Sequence, residues 1–204
     1  MNSGAFGANM TDKDKKYYTT KEAADVLNVA VSTVQLWANN GLLDVRTTVG
    51  GHRRIASSSV EEMLSKSQPL IKNKQAEPKL SVMVVEDDAQ QQRLYEKHFS
   101  AWGLDAKLIT AKDGYEGMVK IGRVLPDVII TDLLMPNVDG FQMVKALKDI
   151  PELAHTTIIA ISALEAADVR ARGGLPQGVH LMTKPIVFND LEVLLKNKLQ
   201  SKIV

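Results

Sequence analysis

The chain has 204 residues, of which 45% are apolar and 24% charged, a balance typical of globular protein and a length sufficient for two small domains. Its formal net charge is only +1, which excludes an overall basic field, so any binding of nucleic acid must depend on local clusters of cations. The absence of cysteine excludes a disulfide-stapled secreted protein, and the lack of a long apolar run excludes a membrane span, so a cytoplasmic protein without a membrane partner is predicted.

Two short helices are predicted near the start of the chain, after a flexible tail over residues 1–16. Thr19 and Glu22 have the spacing of a capping box, which places a helix start there. A second helix is expected over residues 31–39, after a turn of three residues. Two short helices around a tight turn are the geometry of a helix-turn-helix, so residues 17–65 are predicted to form a mainly α domain of this type.

A hairpin is predicted after these helices. Val49-Gly50-Gly51 lies between two segments that can extend, residues 42–48 and 52–55, and a Gly-Gly between such segments favours a hairpin turn. Such a turn is often only solvated surface, but here it follows a helix-turn-helix at the distance of a DNA-binding wing, which favours contact with DNA. The hairpin carries a basic cluster of Arg46, His52, Arg53 and Arg54.

This segment resembles the winged helix-turn-helix of the MerR and phage-excisionase type. The resemblance rests on residues 18–24 (YTTKEAA), 33–37 (TVQLW) and 50–55 (GGHRRI). It implies that the second helix enters the major groove of double-stranded DNA. The basic hairpin residues would then contact phosphate or the adjacent minor groove. The residues implied to face base edges are Ser32, Thr33 and Gln35.

The pattern changes after a predicted linker over residues 66–79, since apolar strand-like runs then alternate with helical segments as far as residue 204. Four of these runs end in polar residues. In a parallel sheet the carboxyl ends of the strands share one edge, and ligands bind at that edge. The residues in question are Glu86 and Asp87 after 80–85, Asp132 after 128–131, Ser162 after 157–161 and Lys184 after 179–183.

These residue types suit transfer of a phosphoryl group to a carboxylate. The phosphoryl group and the carboxylate are both anionic, so a divalent cation is needed to bring them together. Mg²⁺ prefers carboxylate, carbonyl and water oxygens, and Glu86 and Asp87 can supply carboxylates beside Asp132. A hydroxyl from Ser162 and an ammonium from Lys184 would hold the new phosphoryl oxygens.

From about Leu80 onward the sequence resembles a response-regulator receiver domain, the CheY-like α/β fold with a flavodoxin-like (βα)5 parallel sheet. The matching motifs are 84–88 (VVEDD), 125–132 (LPDVIITD), Met135-Pro136, Ser162-Ala163 and 183–185 (TKP). The resemblance implies that Asp132 takes phosphate from the phosphohistidine of a sensor histidine kinase or phosphotransfer protein. It also implies that Ser162 and Lys184 sense the phosphoryl group. The implied Mg²⁺ ligands are Glu86, Asp87, Asp132 and the Leu134 carbonyl.

The combined interpretation is a two-component response regulator with the DNA reader first and the receiver last. It is expected to be no enzyme beyond its own phosphotransfer and dephosphorylation. Phosphorylation is expected to drive homodimerisation, because one small reader contacts few bases. The expected contact surfaces are the helix from Asn189 to Leu199 and the segment 163–172. The alternative is a phospho-dependent adaptor whose N-terminal module docks a protein and does not read DNA.

Overall fold

The computed structural model describes three stretches of the chain, residues 16–65, 79–136 and 138–202. The chain divides into two compact units between Gln68 and Pro69. The predicted tail (1–16) and linker (66–79) lie almost entirely outside the described residues, so both remain predictions. Within the described stretches, no helix combines the length and the apolar character needed to cross a membrane.

Residues 16–65, the described part of the N-terminal unit, form three strands and three helices. In chain order they are β1 (Tyr17–Thr19), α1 (Thr20–Leu27), α2 (Val31–Asn39), β2 (Val45–Thr47), β3 (Arg53–Ala56) and α3 (Ser57–Ser65).

The first of the two predicted helices begins at a side-chain cap, whereas the second does not. The Thr19 hydroxyl accepts the Glu22 backbone N–H at 3.1 Å, and the Glu22 carboxylate accepts the Thr19 N–H at 2.8 Å. This confirms the capping box before α1. Asn28 ends α1 in the left-handed conformation, with φ of 54°. Ala30, which precedes α2, makes no side-chain cap, so the backbone donors of the first turn of α2 gain no side-chain acceptor there.

A small antiparallel sheet holds the helices of this unit together. β3 is its central strand, and Ile55 lies opposite both Tyr18 of β1 and Val45 of β2. Ile55 of the sheet and Trp37 of α2 are both completely buried, so the sheet and the second helix each contribute a large side chain to the interior. The description of this unit as mainly α is therefore corrected to a mixture of strands and helices. The sequence pattern missed β1 because three residues are too few to show an alternation.

The C-terminal unit is an α/β layered fold. Its elements are β4 (Leu80–Val85), α4 (Ala89–Trp102), β5 (Ala106–Ala111), α5 (Gly114–Val124), β6 (Val128–Asp132), β7 (Leu134–Met135), β8 (Val138–Asp139), α6 (Gly140–Lys148), β9 (Thr157–Ser162), α7 (Ala166–Ala171), β10 (Val179–Thr183) and α8 (Phe188–Ser201).

Five parallel strands form the sheet of this unit, in the order β10-β9-β6-β4-β5. This is the flavodoxin-like order, and it confirms the predicted (βα)5 sheet. The registers pair Val85 with Thr131, Asp132 with Ile161, and Ser162 with Thr183. The strands therefore end together at one edge, which is where the polar residues were predicted to meet.

A close backbone contact fixes the segment after β6. A Cβ on Gly140 would stand 2.6 Å from the Leu133 Cα and 2.7 Å from the Leu133 carbonyl oxygen, closer than atoms pack. Only glycine therefore lets α6 start against this segment. The two-residue strands β7 and β8, in which Leu134 pairs with Asp139, were not predicted because they are too short to have a periodicity.

Asp127 links the amino-terminal ends of the strands to the end of α8 through hydrogen bonds. Its carboxylate accepts hydrogen bonds from the backbone N–H and the hydroxyl of Ser81, both at 2.8 Å, and from the Lys202 ammonium at 2.6 Å. Burial alone would raise the pKa of Asp127, but the bonds from Lys202 and Ser81 outweigh burial and hold that pKa below its ordinary value. The ionised form is thus favoured by folding.

We expect Asp127→Asn to lower the free energy of unfolding by about 1 kcal/mol at pH 7, since the substitution removes a charge-assisted bond and a half-exposed ion pair. Because the folded pKa is depressed, the wild-type advantage is present above the ordinary pKa near 3.8 and is lost as the pH falls through the folded pKa. Urea unfolding of the full chain at a series of pH values measures this. Asp105→Asn, at an exposed carboxylate with no recorded side-chain hydrogen bond among the described residues, is the control and should leave the stability at pH 7 unchanged. Equal stability of Asp127→Asn and wild type at pH 7 would contradict the expectation.

Candidate functional site

Three carboxylates meet at the carboxyl edge of the parallel sheet. Glu86 and Asp87 follow β4, and Asp132 is the last residue of β6. One carboxylate oxygen from each of the three residues lies within 4.8 Å of the other two. Glu86 and Asp132 are only 2% and 6% exposed, whereas Asp87 is open to solvent. The predicted convergence of these three residues is thus present in the structure.

Lys184 reaches this cluster from the end of β10. Its ammonium donates to Asp132 Oδ2 at 2.6 Å and to Glu86 Oε2 at 3.1 Å. The other oxygen of the acid, Asp132 Oδ1, accepts the backbone N–H of Leu134 at 2.8 Å. Both oxygens of Asp132 are therefore held in place, one by a cation and one by a backbone donor. The bond from the Leu134 N–H could not be predicted from the sequence, because a sequence does not show which backbone N–H groups face a given side chain.

The cluster holds more negative than positive charge. Burial raises the pKa of Glu86, and the neighbouring Lys184 ammonium only partly opposes this. Burial would lower the pKa of Lys184, but the bonds and charges of Asp132 and Glu86 outweigh burial, so its pKa is raised. Three carboxylates thus face one ammonium. Oxygen donors with uncompensated negative charge, one of them open to solvent, fit a hard divalent cation such as Mg²⁺.

Ser162 ends β9 beside Asp132 but is fully buried. Its hydroxyl accepts the Leu164 backbone N–H at 3.0 Å, while its carbonyl accepts the Lys184 backbone N–H at 2.7 Å. The hydroxyl proton is not used in the first of these bonds, so it remains a possible donor. The predicted roles of Ser162 and of the Leu134 carbonyl stay predictions.

Two residues of α4 were missed by the sequence reasoning. Gln92 donates from its side-chain amide to the backbone carbonyls of Glu86, at 2.6 Å, and Ala111, at 3.1 Å. Tyr95 is buried, and burial together with the charges of Glu86 and Asp132 raises the pKa of its phenol. A glutamine and a tyrosine on an amphipathic helix give no sign that they lie near the acidic residues, because that depends on how the helix packs.

The outer surface of α2 contains some of the predicted base-reading residues. Gln35 is exposed and Ser32 is half-buried. Thr33, by contrast, is completely buried, and its hydroxyl has no hydrogen-bond partner. This argues against the base contact predicted for Thr33. The physical reason is the helical period, because Thr33 lies three and four residues before the buried Leu36 and Trp37.

Replacing Thr33 by Val should raise the free energy of unfolding of the N-terminal unit by about 1 kcal/mol, because it removes a buried hydroxyl without a partner and keeps the side-chain shape. Urea unfolding followed by Trp37 fluorescence, in a chain carrying Trp102→Phe, tests this. Thr33→Ser keeps the hydroxyl and loses the methyl, so it should be destabilising. A destabilised Thr33→Val would indicate that the hydroxyl has a favourable interaction.

The basic cluster lies on the β2–β3 hairpin. Arg46 and Arg54 are cross-strand partners, and like charges in that position repel each other. Arg46 also lies over the ring of Tyr17, 5.5 Å from its centroid. Arg53 donates to Asn39 Oδ1 of α2 at 2.7 Å, which joins the hairpin to the second helix. The hairpin thus carries three guanidinium groups and the exposed His52, a set of donors suited to contact with an anion.

Comparison with known proteins identifies the C-terminal unit. The family model described as response regulator receiver domain matches residues 82–196, more than half of the chain. The chain belongs to the response regulator receiver family. A second model, described as helix-turn-helix domain, matches residues 17–68. Receiver domains commonly bind Mg²⁺, in agreement with the charge and donor set of the acidic cluster.

Several curated proteins are similar to this receiver. PilG of Pseudomonas aeruginosa is 30% identical over 112 residues, which cover 55% of this chain and 82% of PilG. Response regulator PleD of Caulobacter vibrioides is 34% identical over 105 residues, or 52% of this chain and 23% of PleD. Hybrid signal transduction histidine kinase D of Dictyostelium discoideum is 31% identical over 81% of this chain. The chain spans only 10% of that kinase, so similarity to it and to PleD concerns a part of each relative.

Solved structures show the same fold. The signal receiver domain of a DNA binding response regulator protein (merR) from Colwellia psychrerythraea 34H matches with a TM-score of 0.53 and 26% identity, covering 59% of this chain and 98% of that one. The Francisella response regulator 1452 receiver domain matches with a TM-score of 0.51 and 27% identity, covering 60% and 98%. Each match covers about 60% of this chain, which corresponds to the size of its C-terminal unit.

Proposed function

We propose that this receiver protein is a two-component response regulator that is phosphorylated on Asp132 by a sensor histidine kinase or a phosphotransfer protein. The observation that carries the proposal is the buried Asp132 carboxylate, held 2.6 Å from the Lys184 ammonium within a cluster of three carboxylates. The receiver and helix-turn-helix matches point to a regulator and not to a catalytic enzyme. We propose that the protein acts in the cytoplasm, where it would meet the phosphohistidine of its kinase.

The proposed transfer uses the residues at the strand edge. An Asp132 oxygen attacks the phosphorus while the phosphorus–nitrogen bond of the phosphohistidine breaks, and the leaving imidazole nitrogen keeps the electron pair and takes up a proton from solvent water. The N–H of Leu134 and the Lys184 ammonium hold the carboxylate for this attack. Mg²⁺ held by Glu86, Asp87, Asp132 and the Leu134 carbonyl would offset the negative charge of both reactants.

Phosphorylation changes what Lys184 and Ser162 contact in this proposal. Lys184 exchanges Asp132 Oδ2 for a phosphoryl oxygen, and the Ser162 hydroxyl donates its unused proton to another. Since Ser162 is bonded to the Leu164 N–H, its movement is passed to the segment that leads into α7. The switch cannot use an aromatic ring at residue 181, where many receivers have one, because this residue is leucine. The phosphoryl group then shifts the equilibrium between two states of this segment.

The output is proposed to be DNA binding by the N-terminal unit, read as a winged helix-turn-helix of the MerR or excisionase type. The exposed Gln35 and the half-buried Ser32 of α2 are the candidates for base contact, and Gln35 can pair bidentately with adenine. The hairpin cations supply orientation and affinity through phosphate. The repulsion between the paired Arg46 and Arg54 supports this, because a phosphate between them would relieve it.

Dimerisation is the proposed link between phosphorylation and DNA binding. Two copies on one duplex sum their contacts, so a modest shift toward the dimer raises the affinity for paired half-sites. The proposed surfaces are α8 and the segment 163–172, which includes α7. Val193 on α8 and Val187 just before it are 56% and 55% exposed, which is apolar surface that a second copy could cover.

The experiment that tests the proposed acceptor is incubation of the full chain with acetyl phosphate, with Mg²⁺ or with EDTA. The expected result is a mass gain of one phosphoryl group that requires Mg²⁺ and maps to Asp132 after borohydride reduction of the acyl phosphate. Light scattering on the same sample measures dimer formation. A phosphoryl group on another residue, or none with Mg²⁺ present, would contradict the proposed acceptor.

A further inference from the structure

A single side chain holds the backbone that carries two of the acidic residues. The Gln92 amide nitrogen donates to the Glu86 carbonyl at 2.6 Å and to the Ala111 carbonyl at 3.1 Å. Gln92 lies on α4 and is half-buried, so these bonds are partly shielded from water. One amide therefore joins a helix to the ends of two neighbouring strands, β4 and β5.

The carbonyl of Glu86 belongs to the peptide group that joins Glu86 to Asp87. Fixing the direction of this carbonyl therefore fixes the plane from which both acidic side chains leave the backbone. The N–H of Glu86 is separately bound to the Ala111 carbonyl at 3.1 Å, so strand pairing already fixes the residue on its other side. Only the bond from Gln92 restrains the orientation of the Glu86–Asp87 peptide among the contacts recorded for the described residues.

The rest of the loop is held by other groups. The Asp88 carboxylate caps α4 by accepting the N–H of Gln90 at 2.7 Å, and the Asp88 N–H donates to Glu86 Oε1 at 3.3 Å. These bonds keep the helix start and one oxygen of Glu86 in place without the glutamine. Loss of the Gln92 amide should therefore leave the helix folded and loosen mainly the peptide between the two acids.

We infer that Gln92 is a positioning residue for the acidic cluster, which sets the affinity of the site for Mg²⁺ by orienting the Glu86–Asp87 peptide. This inference rests on the proposed function, since it takes Glu86 and Asp87 as ligands of the cation. Groups that orient metal ligands typically change metal affinity about 10-fold or more when they are removed. Gln92 touches no reacting atom, and it acts only through the two ligands that it orients.

The test compares Gln92→Met with Gln90→Met in the full chain. Methionine keeps the length of the side chain and lacks the amide, and Gln90 is an exposed glutamine on the same helix whose side chain makes no recorded bond among the described residues. Calorimetric titration with MgCl₂ should give a dissociation constant raised about 10-fold in Gln92→Met and unchanged in Gln90→Met.

Hydrogen exchange measured without metal provides a second test. A residue that only stabilises the fold would not change exchange at the acidic loop alone. The amides of residues 86–88 should exchange faster in Gln92→Met, while those of β6 and the thermal midpoint stay close to the Gln90→Met values. Gln92→Asn, which keeps an amide that is one methylene too short, should behave like Gln92→Met and serves if that variant does not fold.

The outcomes separate this inference from the proposed function. Wild-type chain that binds Mg²⁺, together with a Gln92→Met chain that binds it equally well, overturns the inference alone. Wild-type chain that binds no Mg²⁺ overturns the proposed cation site and the inference with it. A loss of affinity matched by an equal loss in Gln90→Met would show a general effect of the helix and would also overturn the positioning role.

Discussion

Asp132→Asn is expected to abolish phosphorylation of the chain while leaving it folded. The amide is neutral and a poor nucleophile, so it cannot accept a phosphoryl group, and no other carboxylate of the cluster lies between the Lys184 ammonium and the Leu134 N–H. The fold should survive because the side chain keeps its shape and its oxygen can still accept the Leu134 N–H. The expected incorporation from acetyl phosphate is thus below detection, which is the largest effect that a single substitution can give here.

A matched control lies close to the cluster. Asp88→Asn changes the same residue type just beyond Glu86 and Asp87, at a position where the carboxylate caps α4. Asparagine caps helices about as well as aspartate, so this variant should fold and be phosphorylated like wild type. Intact-mass spectrometry of wild type and the two variants after equal incubation measures the fraction of each protein that carries a phosphoryl group. Full incorporation in Asp132→Asn would show that another residue accepts the phosphoryl group.

Arg54→Ala and Arg53→Ala are expected to weaken DNA binding at all sequences and to flatten its dependence on salt. Each phosphate contact releases counterions, so removing one lowers the slope of log affinity against log salt by about 1. Both substitutions together should lower that slope by about 2. Binding measured between low and moderate salt, with wild type and with each variant, gives these slopes directly.

Two controls separate a phosphate contact from a structural one. Asn39→Ala removes the partner that accepts the Arg53 guanidinium at 2.7 Å but keeps every charge, so it should change affinity without changing the salt slope. Arg93→Ala removes an exposed arginine from α4 in the other unit and should change neither. Unchanged affinity and slope in the two hairpin variants would favour the adaptor interpretation, in which the N-terminal unit docks a protein.

The acidic site was predictable because it depends on strand ends. Apolar runs of five or six residues mark the strands, and the order β10-β9-β6-β4-β5 places their carboxyl ends at one edge. Any polar residue directly after such a run therefore falls near the others, as Glu86, Asp87, Asp132 and Lys184 do. The start of α1 was equally predictable, since the Thr19–Glu22 capping box is a purely local signal that the structure confirms.

What the sequence could not provide depends on packing between distant elements. The contact of Gln92 with Glu86 and Ala111 joins one helix to two strands, and nothing in the order of residues specifies it. The burial of Thr33 was within reach, because its spacing to Leu36 and Trp37 is that of a helical inner face, but its polar side chain was taken as a sign of exposure. For Thr33, the helical spacing predicted burial better than the polarity of the side chain did.

The most direct test of phosphorylation-controlled DNA binding is selection of a genomic fragment library by the full chain at two salt concentrations, with and without acetyl phosphate and Mg²⁺. Asp132→Asn provides the unphosphorylated reference under identical conditions. The predicted result is enrichment of one sequence motif that phosphorylation strengthens in wild type and leaves unchanged in Asp132→Asn, with weaker recovery at the higher salt. No enriched motif in either phosphorylation state, from a chain shown to carry the phosphoryl group, would contradict the account.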